Sequence, residues 1–343
     1  MKKYNVAILG ATGVVGQEFL RLIEERHFPF AELKLLASKR SAGKKITFMG
    51  HEYVVEEAAH DSFQGIDIAL FAGGAASKTF AQSAVSAGAV VIDNSSAFRM
   101  ETGVPLVVPE VNPEVLATHK GIIANPNCST ILMVMALKPL YDLAKIKRIV
   151  VSTYQAVSGA GKEAMAELRN QVEQSAAGKT AAARILPVAS LEKHYPMAFN
   201  VLPQIDVFKE NDYTKEEMKM VDETKKIMAD DQLRITATTV RVPVYRSHAE
   251  SVNIEFTDEV SAEAARRALQ AFPGIVVRDN PAEMEYPMPL YTSGKDAVEV
   301  GRIRKDYSQD NALNLWICGD QIRKGAALNA LQIAETMIQK KLL

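Results

Sequence analysis

The segment 4-YNVAILGATGVVGQEFLRLIEER-26 decides the fold class. Apolar and β-branched residues precede the glycines, and apolar residues recur at helical spacing after them, so the pattern predicts a strand over 4–10 and a helix over 14–26. A glycine-rich turn between a strand and a helix is typical of a dinucleotide-binding domain, where the helix N-terminus receives a pyrophosphate. A tight turn with close helix–strand packing would use the same glycines.

The first third of the chain continues this alternation of strands and helices. Predicted strands occupy 32–38, 66–73, 89–95 and 121–126, with a β-rich piece over 45–58 and a helix over 76–88. Short strands rich in β-branched residues are typical of a parallel sheet that helices cover on both faces. The carboxyl ends of such strands share one edge, and ligand-binding loops are expected there.

The middle of the chain has a different pattern, which predicts an α+β domain with a mixed or antiparallel sheet. Predicted strands are 147–157, 234–244, 249–257 and 313–320, and predicted helices are 161–176 and 214–230. We expect the strands at 234–244 and 249–257 to pair antiparallel. The final helix, at 325–341, is expected to pack back on the first domain.

The predicted fold class is therefore α/β. We expect a Rossmann-like dinucleotide-binding domain formed by 1–127 plus 324–343, with an inserted α+β catalytic and dimerisation domain over 128–323. A chain of 343 residues is longer than one hydrophobic core usually supports, which agrees with two domains.

Composition excludes several classes of function. The 40 basic and 41 acidic residues nearly cancel, and no run of like charge predicts binding to nucleic acid or to a membrane surface. No stretch approaches the roughly 20 apolar residues of a membrane helix. Cys128 and Cys318 lie far apart without Cys/His spacing, so we expect neither a disulfide framework nor a metal site, and a cytoplasmic protein.

The end of the second predicted strand distinguishes between the two nicotinamide dinucleotides. A site for NAD usually presents an acidic residue there, about 20 residues after the glycines. This chain has the segment 38-SKRS-41, which contains no acid. Arg40 and the hydroxyls beside it would receive a 2'-phosphate, so NADP is expected; a solvated basic loop is the alternative.

The stretch 123-IANPNCSTILMVMALKPL-140 contains the candidate nucleophile. Cys128 precedes a predicted helix over 131–140, where the dipole and unpaired backbone donors stabilise a thiolate. Most cysteines are inert and buried, and this interpretation suits Cys318, which lies in the apolar segment LNLWICGD. A nucleophilic cysteine with a nicotinamide cofactor indicates aldehyde chemistry: the thiolate adds, hydride leaves, and an acceptor cleaves the thioester.

Six segments together resemble the aspartate-semialdehyde dehydrogenase family. They are GATGVVG, SKRSAGK, NPNCST, 155-QAVSGAGK-162, 241-RVPVYRSH-248 and 319-GDQIRKGAALNALQIAE-335. The resemblance implies reduction of aspartyl phosphate to aspartate semialdehyde with NADPH, on the way to lysine, methionine and threonine, by a homodimer. The related N-acetyl-glutamyl-phosphate reductases share this chemistry but match these positions less well.

The resemblance also implies roles for individual residues. Cys128 would be the nucleophile, His248 the acid/base, and Gln155 would hold the thioester. The implied substrate-binding residues are Arg241 for the carboxylate, Glu216 for the ammonium group, and Arg99, Asn127 and Lys219 for phosphate. The implied cofactor-binding residues are Gly10, Thr12, Gly13, Val14, Gly16, Ser38, Arg40, Ser41, Ser158, Gly159 and Gln321. No metal is expected.

Several alternatives stay open at this stage. Glu216 and Lys219 could form a solvated ion pair on a charged helix, and the adjacent Glu217 leaves their register open by one residue. His248 could be structural. The enzymatic alternative is another phosphorylating, cysteine-dependent aldehyde dehydrogenase with a different acyl phosphate, and the non-enzymatic one is an NADP-binding sensor.

Overall fold

The computed structural model describes residues 2–343. They form two compact units, one from 2–127 with Gly325–Leu343 and the other from Cys128–Lys324. The strands are β1 (Tyr4–Leu9), β2 (Phe30–Ala37), β3 (Lys45–Phe48), β4 (His51–Val54), β5 (Glu56–Glu57), β6 (Ile68–Phe71), β7 (Val90–Asp93), β8 (Ile122–Ala124), β9 (Ile146–Gln155), β10 (Arg234–Arg241), β11 (His248–Phe256), β12 (Ile275–Val277), β13 (Val298–Lys305) and β14 (Ala312–Gly319).

The helices are α1 (Val14–Glu25), α2 (Ala76–Ser86), α3 (Cys128–Tyr141), α4 (Lys162–Ala176), α5 (Lys215–Met228), α6 (Ala262–Ala271), α7 (Pro289–Thr292) and α8 (Leu328–Lys340). Short 3-10 turns and one π turn, over Arg323–Ala327, join several of them. Helix α3 begins at Cys128 itself, so the predicted helix start at 131 was too late. Within residues 2–343, the structure contains no helix with the length and apolar character needed to cross a membrane.

The first unit contains a six-stranded parallel sheet in the order β5-β2-β1-β6-β7-β8. Alternate side chains of β1 enter different cores. Val6 and Ile8 pack in a cluster with α1 and α8, whereas Ala7 and Leu9 pack in a cluster with α2. The predicted parallel sheet covered by helices on both faces is therefore confirmed, and the last helix belongs to this unit.

The second unit contains a six-stranded mixed sheet in the order β10-β9-β11-β14-β13-β12. Strand β9 pairs parallel with β10 and antiparallel with β11. The expected direct pairing of 234–244 with 249–257 was therefore wrong, because β9 lies between the two strands. The connection 242–247 passes the end of β9, where Val157 and Ser158 donate backbone hydrogen bonds to Val244 and Tyr245. These bonds give backbone groups of the connection their hydrogen-bond partners, so β10 and β11 do not need to pair with each other.

Candidate active site

In the first unit, the glycines at 10, 13 and 16 allow a tight turn between β1 and α1. Gly10 has a φ of +86°, a conformation that glycine adopts without strain. A Cβ on Gly16 would lie 2.3 Å from the carbonyl oxygen of Gly10, so any side chain there would separate the turn from α1. Gly13 is the N-cap of α1 and Val14 its first residue. The turn thus brings the N-terminus of α1 close to the end of β1.

The turn is joined to the end of β2. The backbone amides of Gly10 and Ala11 donate to the carbonyl oxygen of Leu36, at 2.8 and 3.1 Å. The hydroxyl of Thr12 donates to Ser41 Oγ over 3.3 Å. Ser38 precedes a 3-10 turn over Lys39–Ser41, in which Arg40 is exposed. The candidate cofactor residues of this unit therefore share one surface.

Two glutamates near that surface were not predicted. In β5, Glu56 and Glu57 pair with Leu36 and Ala37 at the end of β2, and both are exposed. Sequence reasoning missed them because they are far from the glycines in the chain. Their carboxylates are the nearest acids that the strand register brings to this end of β2.

Two of the predicted phosphate-binding residues, Arg99 and Asn127, also belong to the first unit, and both are buried. The Nη2 atom of Arg99 donates to the carbonyl oxygen of Asn94 at 2.8 Å. Asn94 also accepts from the Nδ2 atom of Asn125 at 2.9 Å, and Asn329 donates to Asn125 at 2.7 Å. Sequence reasoning did not single out these three asparagines, although Asn94 directly follows β7, which is a signal for the ligand edge.

In the second unit, the carboxyl ends of β9 and β10 and the start of β11 present three predicted residues side by side. Gln155 and Arg241 are paired in register, and His248 begins β11. All three are buried. They lie on the face of the sheet whose neighbouring residues, Val151 and Val252, are also buried. The sheet thus gathers residues that are up to 93 positions apart in the chain.

Arg241 connects this group to two other elements. Its Nη1 atom donates to the carbonyl oxygen of Ala156 at 2.8 Å. Burial lowers the pKa of Arg241, whereas the charges of Glu216 and Cys128 act to raise it. Charges shift a pKa in this way only from nearby. Helix α5 and the N-terminus of α3 therefore bring Glu216 and Cys128 to the same cluster as Arg241. Cys128 is partly exposed.

His248 is neutral in this environment. Burial, and then the positive charge of Arg241, lower the pKa of His248 to about 3. Its Nδ1 atom accepts a hydrogen bond from the backbone N–H of Ala156 at 3.0 Å. The single ring proton therefore lies on Nε2, which has no hydrogen-bond partner within residues 2–343. The ring can donate a hydrogen bond through Nε2 but is not arranged to hold a second proton.

The two adjacent glutamates at the start of α5, Glu216 and Glu217, make different contacts. Glu217 is used for folding: it completes a capping box with Thr214, and its Oε1 accepts from the backbone of Thr239 at 3.0 Å. Glu216 is buried and accepts from Lys219 Nζ at 3.0 Å and from Gln155 Nε2 at 3.4 Å. Glu216 is therefore the glutamate that faces the cluster, and it is buried, whereas Lys219 is partly exposed.

The loop after β9 covers the same cluster. A Cβ on Gly159 would lie 2.8 Å from Arg241 Nη1 and 3.5 Å from His248 Cε1, so only glycine leaves these side chains in place. Ser158 accepts a hydrogen bond from the Nε2 atom of Gln321. The Oε1 atom of Gln321 accepts from the backbone of Ser247 at 2.7 Å. Gln321 thus links this loop to the residue before His248.

The other thiol has a different environment. Cys318 is fully buried in β14, and burial raises its pKa to about 12. It lies 3.2 Å from the hydroxyl of Thr292. The interpretation of Cys318 as a structural thiol agrees with this position. Within residues 2–343, no group of three or more His, Cys, Asp and Glu side chains could hold a metal ion.

Comparisons with known proteins match both units. A family model described as "Semialdehyde dehydrogenase, NAD binding domain" matches residues 5–119, and one described as "Semialdehyde dehydrogenase, dimerisation domain" matches residues 137–324. The aspartate-semialdehyde dehydrogenase of Aquifex aeolicus is 55% identical over 344 residues, which is 99% of each chain. The chain belongs to the aspartate-semialdehyde dehydrogenase family. It is therefore an oxidoreductase of the aspartate pathway.

Solved structures show the same fold. The crystal structure of aspartate-semialdehyde dehydrogenase II from Vibrio cholerae in complex with ASA has a TM-score of 0.93 and 46% identity, and covers 99% of each chain. That of the Candida albicans enzyme with NADP has a TM-score of 0.78 and 27% identity over all of both chains. The predicted Rossmann-like domain with a second, dimerisation domain is confirmed.

Proposed function

We propose that this chain reduces L-4-aspartyl phosphate to L-aspartate 4-semialdehyde and phosphate, reversibly, with Cys128 as the nucleophile. The observation that carries the proposal is the cluster at the edge of the second sheet. Gln155 is paired in register with Arg241, and Gly159 lies against both Arg241 and His248. The negative charges of Glu216 and Cys128 act to raise the pKa of Arg241. A thiol, an acid and paired charges together are the groups that thioester chemistry on an amino acid requires.

Cys128 reacts as a thiolate, which the N-terminus of α3 and the positive charge of Arg241 stabilise. Its sulfur attacks the acyl carbon, and the phosphate leaves to give a thioester. The Nε2–H group of His248 donates a hydrogen bond to the leaving phosphate oxygen, and that oxygen takes its proton from solvent and returns it there in the reverse direction. The nicotinamide cofactor supplies the hydride. Gln155 orients the thioester, and the thiohemiacetal anion that hydride addition would give collapses to the aldehyde and the Cys128 thiolate.

The charged side chains fit the substrate, which has a carboxylate, an ammonium group and a phosphate. We assign the carboxylate to Arg241, because a guanidinium binds a planar anion through two parallel hydrogen bonds. Glu216 receives the ammonium group. In the second unit we assign Lys219, which bridges Glu216 and Asp206 at 3.0 and 3.2 Å, to the phosphate. In the first unit we assign Arg99 and Asn127 to it.

The cofactor that we assign to the first unit is NADP. Its candidate contacts are the glycine turn of 10–16 with Thr12, and the 38–41 turn with Ser38, Arg40 and Ser41. The 38–41 turn contains no acid that would repel a 2'-phosphate, and Arg40 is exposed there. Ser158, Gly159 and Gln321 of the second unit are assigned to the nicotinamide end. The relative with bound NADP supports this choice over NAD.

The same proposal assigns roles to the two units. Residues 1–127 with 324–343 bind the dinucleotide, and 128–323 carry the catalysis and the contact between the two copies of a homodimer, in agreement with the matched dimerisation domain. The cytoplasmic location stays a prediction.

The test follows NADPH formation from aspartate semialdehyde and NADP, with and without inorganic phosphate. Cys128→Ser is expected to lower kcat by at least about 1,000-fold while NADPH still binds, because the serine hydroxyl is a much weaker nucleophile. Cys318→Ser is the control, and it should keep the wild-type reaction. Turnover without phosphate would contradict the phosphorolytic route. Turnover with another acyl phosphate but none with this substrate would overturn the substrate assignment.

A further inference from the structure

Ser247, the residue before His248, has an unusual backbone conformation. Its φ is +74°, in the left-handed region that favours glycine. The other non-glycine residues with a positive φ within 2–343 are exposed or half-buried, whereas Ser247 is buried. Strained backbone conformations persist only where the surrounding structure holds them, and they are concentrated at functional sites. The contacts of Ser247 therefore show what its conformation is used for.

The backbone of Ser247 is held by a side chain from a distant part of the chain. Its N–H group donates to Gln321 Oε1 at 2.7 Å. Gln321 is buried, and its Nε2 atom donates to the hydroxyl of Ser158. The side-chain amide of Gln321 is thus bonded at both ends. A rotation of the backbone at Ser247 would leave buried polar groups without partners, which is costly.

The side chain of Ser247 is held by hydroxyl groups at the end of α7. Thr292 Oγ1 donates to Ser247 Oγ at 3.0 Å, and Ser293 Oγ lies 3.2 Å from the same atom. Thr292 is fully buried and lies 3.2 Å from Cys318 Sγ of β14. A glycine at position 247 would adopt the same φ without strain but would make none of these bonds. The hydroxyl of Ser247 is therefore the group that this position uses.

The conformation of Ser247 affects the direction of the His248 ring. The two residues share a rigid peptide bond, so the backbone angles of Ser247 direct the chain as it enters β11 at His248. The ring itself accepts from the Ala156 N–H group at 3.0 Å, and Gly159 lies against it. His248 Nε2 has no hydrogen-bond partner within residues 2–343. The direction of this atom therefore depends on the backbone at Ser247 and on the bond from Ala156.

We propose that Ser247 is a positioning residue for His248. Its hydroxyl, held by Thr292, keeps the left-handed turn in place, and this turn aims Nε2 of His248 at the reacting substrate. The bond to Gln321 holds the same turn from the side of Ser158. The inference rests on the proposed function, in which His248 contacts the substrate. A group misplaced by about 1 Å can lower the rate by about 100-fold, so a small rotation at Ser247 has a measurable effect.

Ser247→Gly is the first test, since it removes the hydroxyl but keeps the positive φ accessible. We expect kcat for the oxidation of aspartate semialdehyde to fall about tenfold or more. The KM values for the aldehyde and NADP should stay within about twofold of wild type, because Ser247 is fully buried and makes its bonds within the protein. Wild-type kcat in this variant, or a change in KM alone, would overturn the proposal.

Thr292 provides a matched pair of variants. Thr292→Val has the same shape but no hydroxyl, so it should lower kcat as well, whereas Thr292→Ser keeps the hydroxyl and should have a kcat close to that of wild type. The double variant Ser247→Gly/Thr292→Val should be no slower than Ser247→Gly, because both changes remove the same bond. Equal losses in the two Thr292 variants, or losses that multiply in the double variant, would contradict the assigned role.

Nitrogen NMR of the imidazole groups gives a readout that does not depend on turnover. In wild type, the two ring nitrogens of His248 should give widely separated signals, because Nδ1 accepts a hydrogen bond and Nε2 carries the proton. In Ser247→Gly the two signals should move toward each other, since a ring that is no longer held exchanges its proton between the two nitrogens. Spectra of His248→Asn would assign the signals, and signals that do not move in Ser247→Gly would refute the proposal.

Failure of the proposed function would give a different result. Cys128→Ser would then turn over like wild type, whereas the imidazole signals of His248 test the role of Ser247 in either case. Wild-type kcat and unmoved signals in Ser247→Gly, together with an inactive Cys128→Ser, would reject the positioning role alone.

Discussion

The two units hold their candidate functional residues in different ways. In the first unit, the glycine turn and the 38–41 turn are short local segments, and Arg40 is exposed at its end of the sheet. In the second unit, Cys128, Gln155, Glu216, Arg241 and His248 come from five different elements, and all but Cys128 are buried. A local motif contributes separate ligand contacts, whereas in a buried cluster each side chain also positions its neighbours. Substitutions in the second unit should therefore have the larger effects.

Among the substrate-binding residues, the largest effect is expected for Arg241→Lys. Lysine keeps the charge, but it cannot bind a carboxylate through two parallel bonds while it also donates to the carbonyl of Ala156. We expect kcat/KM for aspartate semialdehyde to fall about 100-fold, as for the loss of one or two hydrogen bonds to charged groups. Steady-state kinetics at saturating NADP and phosphate would measure this. A loss below fivefold would show that Arg241 acts as a simple point charge.

The next prediction separates two adjacent glutamates. Glu216→Gln should lower kcat/KM about tenfold or more with little change in stability, because Glu216 faces the cluster. Glu217→Ala should instead lower the free energy of unfolding by about 1–2 kcal/mol, since it removes the capping box and the bond to Thr239. Kinetics and urea unfolding of both variants would measure the contrast. The opposite result would move the substrate contact to Glu217.

A smaller effect is expected in the first unit. Arg40→Ala should raise the KM for NADPH about tenfold and leave that for NADH within about twofold, because only NADPH has a 2'-phosphate for the guanidinium. Glu57→Gln is the matched comparison. It removes a carboxylate at the same end of β2 and should leave the KM for NADPH unchanged or lower. Equal losses for both cofactors in Arg40→Ala would contradict the assignment of NADP.

The last prediction concerns stability and pH, and it involves no loss of activity. The pKa of Glu250 in the folded protein is raised above its unfolded value of 4.5, so its contribution to stability is present below that pH and is lost as the pH rises. Glu250→Gln should therefore raise the free energy of unfolding by roughly 1–3 kcal/mol at pH 8 and change it little near pH 4. Urea unfolding at both values would measure this. An equal change at both pH values would mean that Glu250 is not buried as an acid.

Much of the first unit could be predicted from sequence. The strand and helix periods, the glycines and the absence of acids in 38–41 are local properties, and the parallel sheet follows from the alternation of its elements. The pairing of β9 between β10 and β11 could not be predicted in this way. Strand order depends on which strand edges form hydrogen bonds with each other. The connection 242–247 forms its backbone hydrogen bonds with Gln155, Val157 and Ser158, which are far away in the chain.

The sequence by itself determined the two-part organisation, the dinucleotide-binding turn and the cysteine at a helix start, since each depends on neighbouring residues. Only the tertiary structure decided that Glu216 rather than Glu217 faces the cluster and that His248 carries its proton on Nε2. It also decided that Glu250 is buried with no hydrogen-bond partner among residues 2–343. Protonation depends on burial and on charges a few ångströms away, and these are set by residues far apart in the chain.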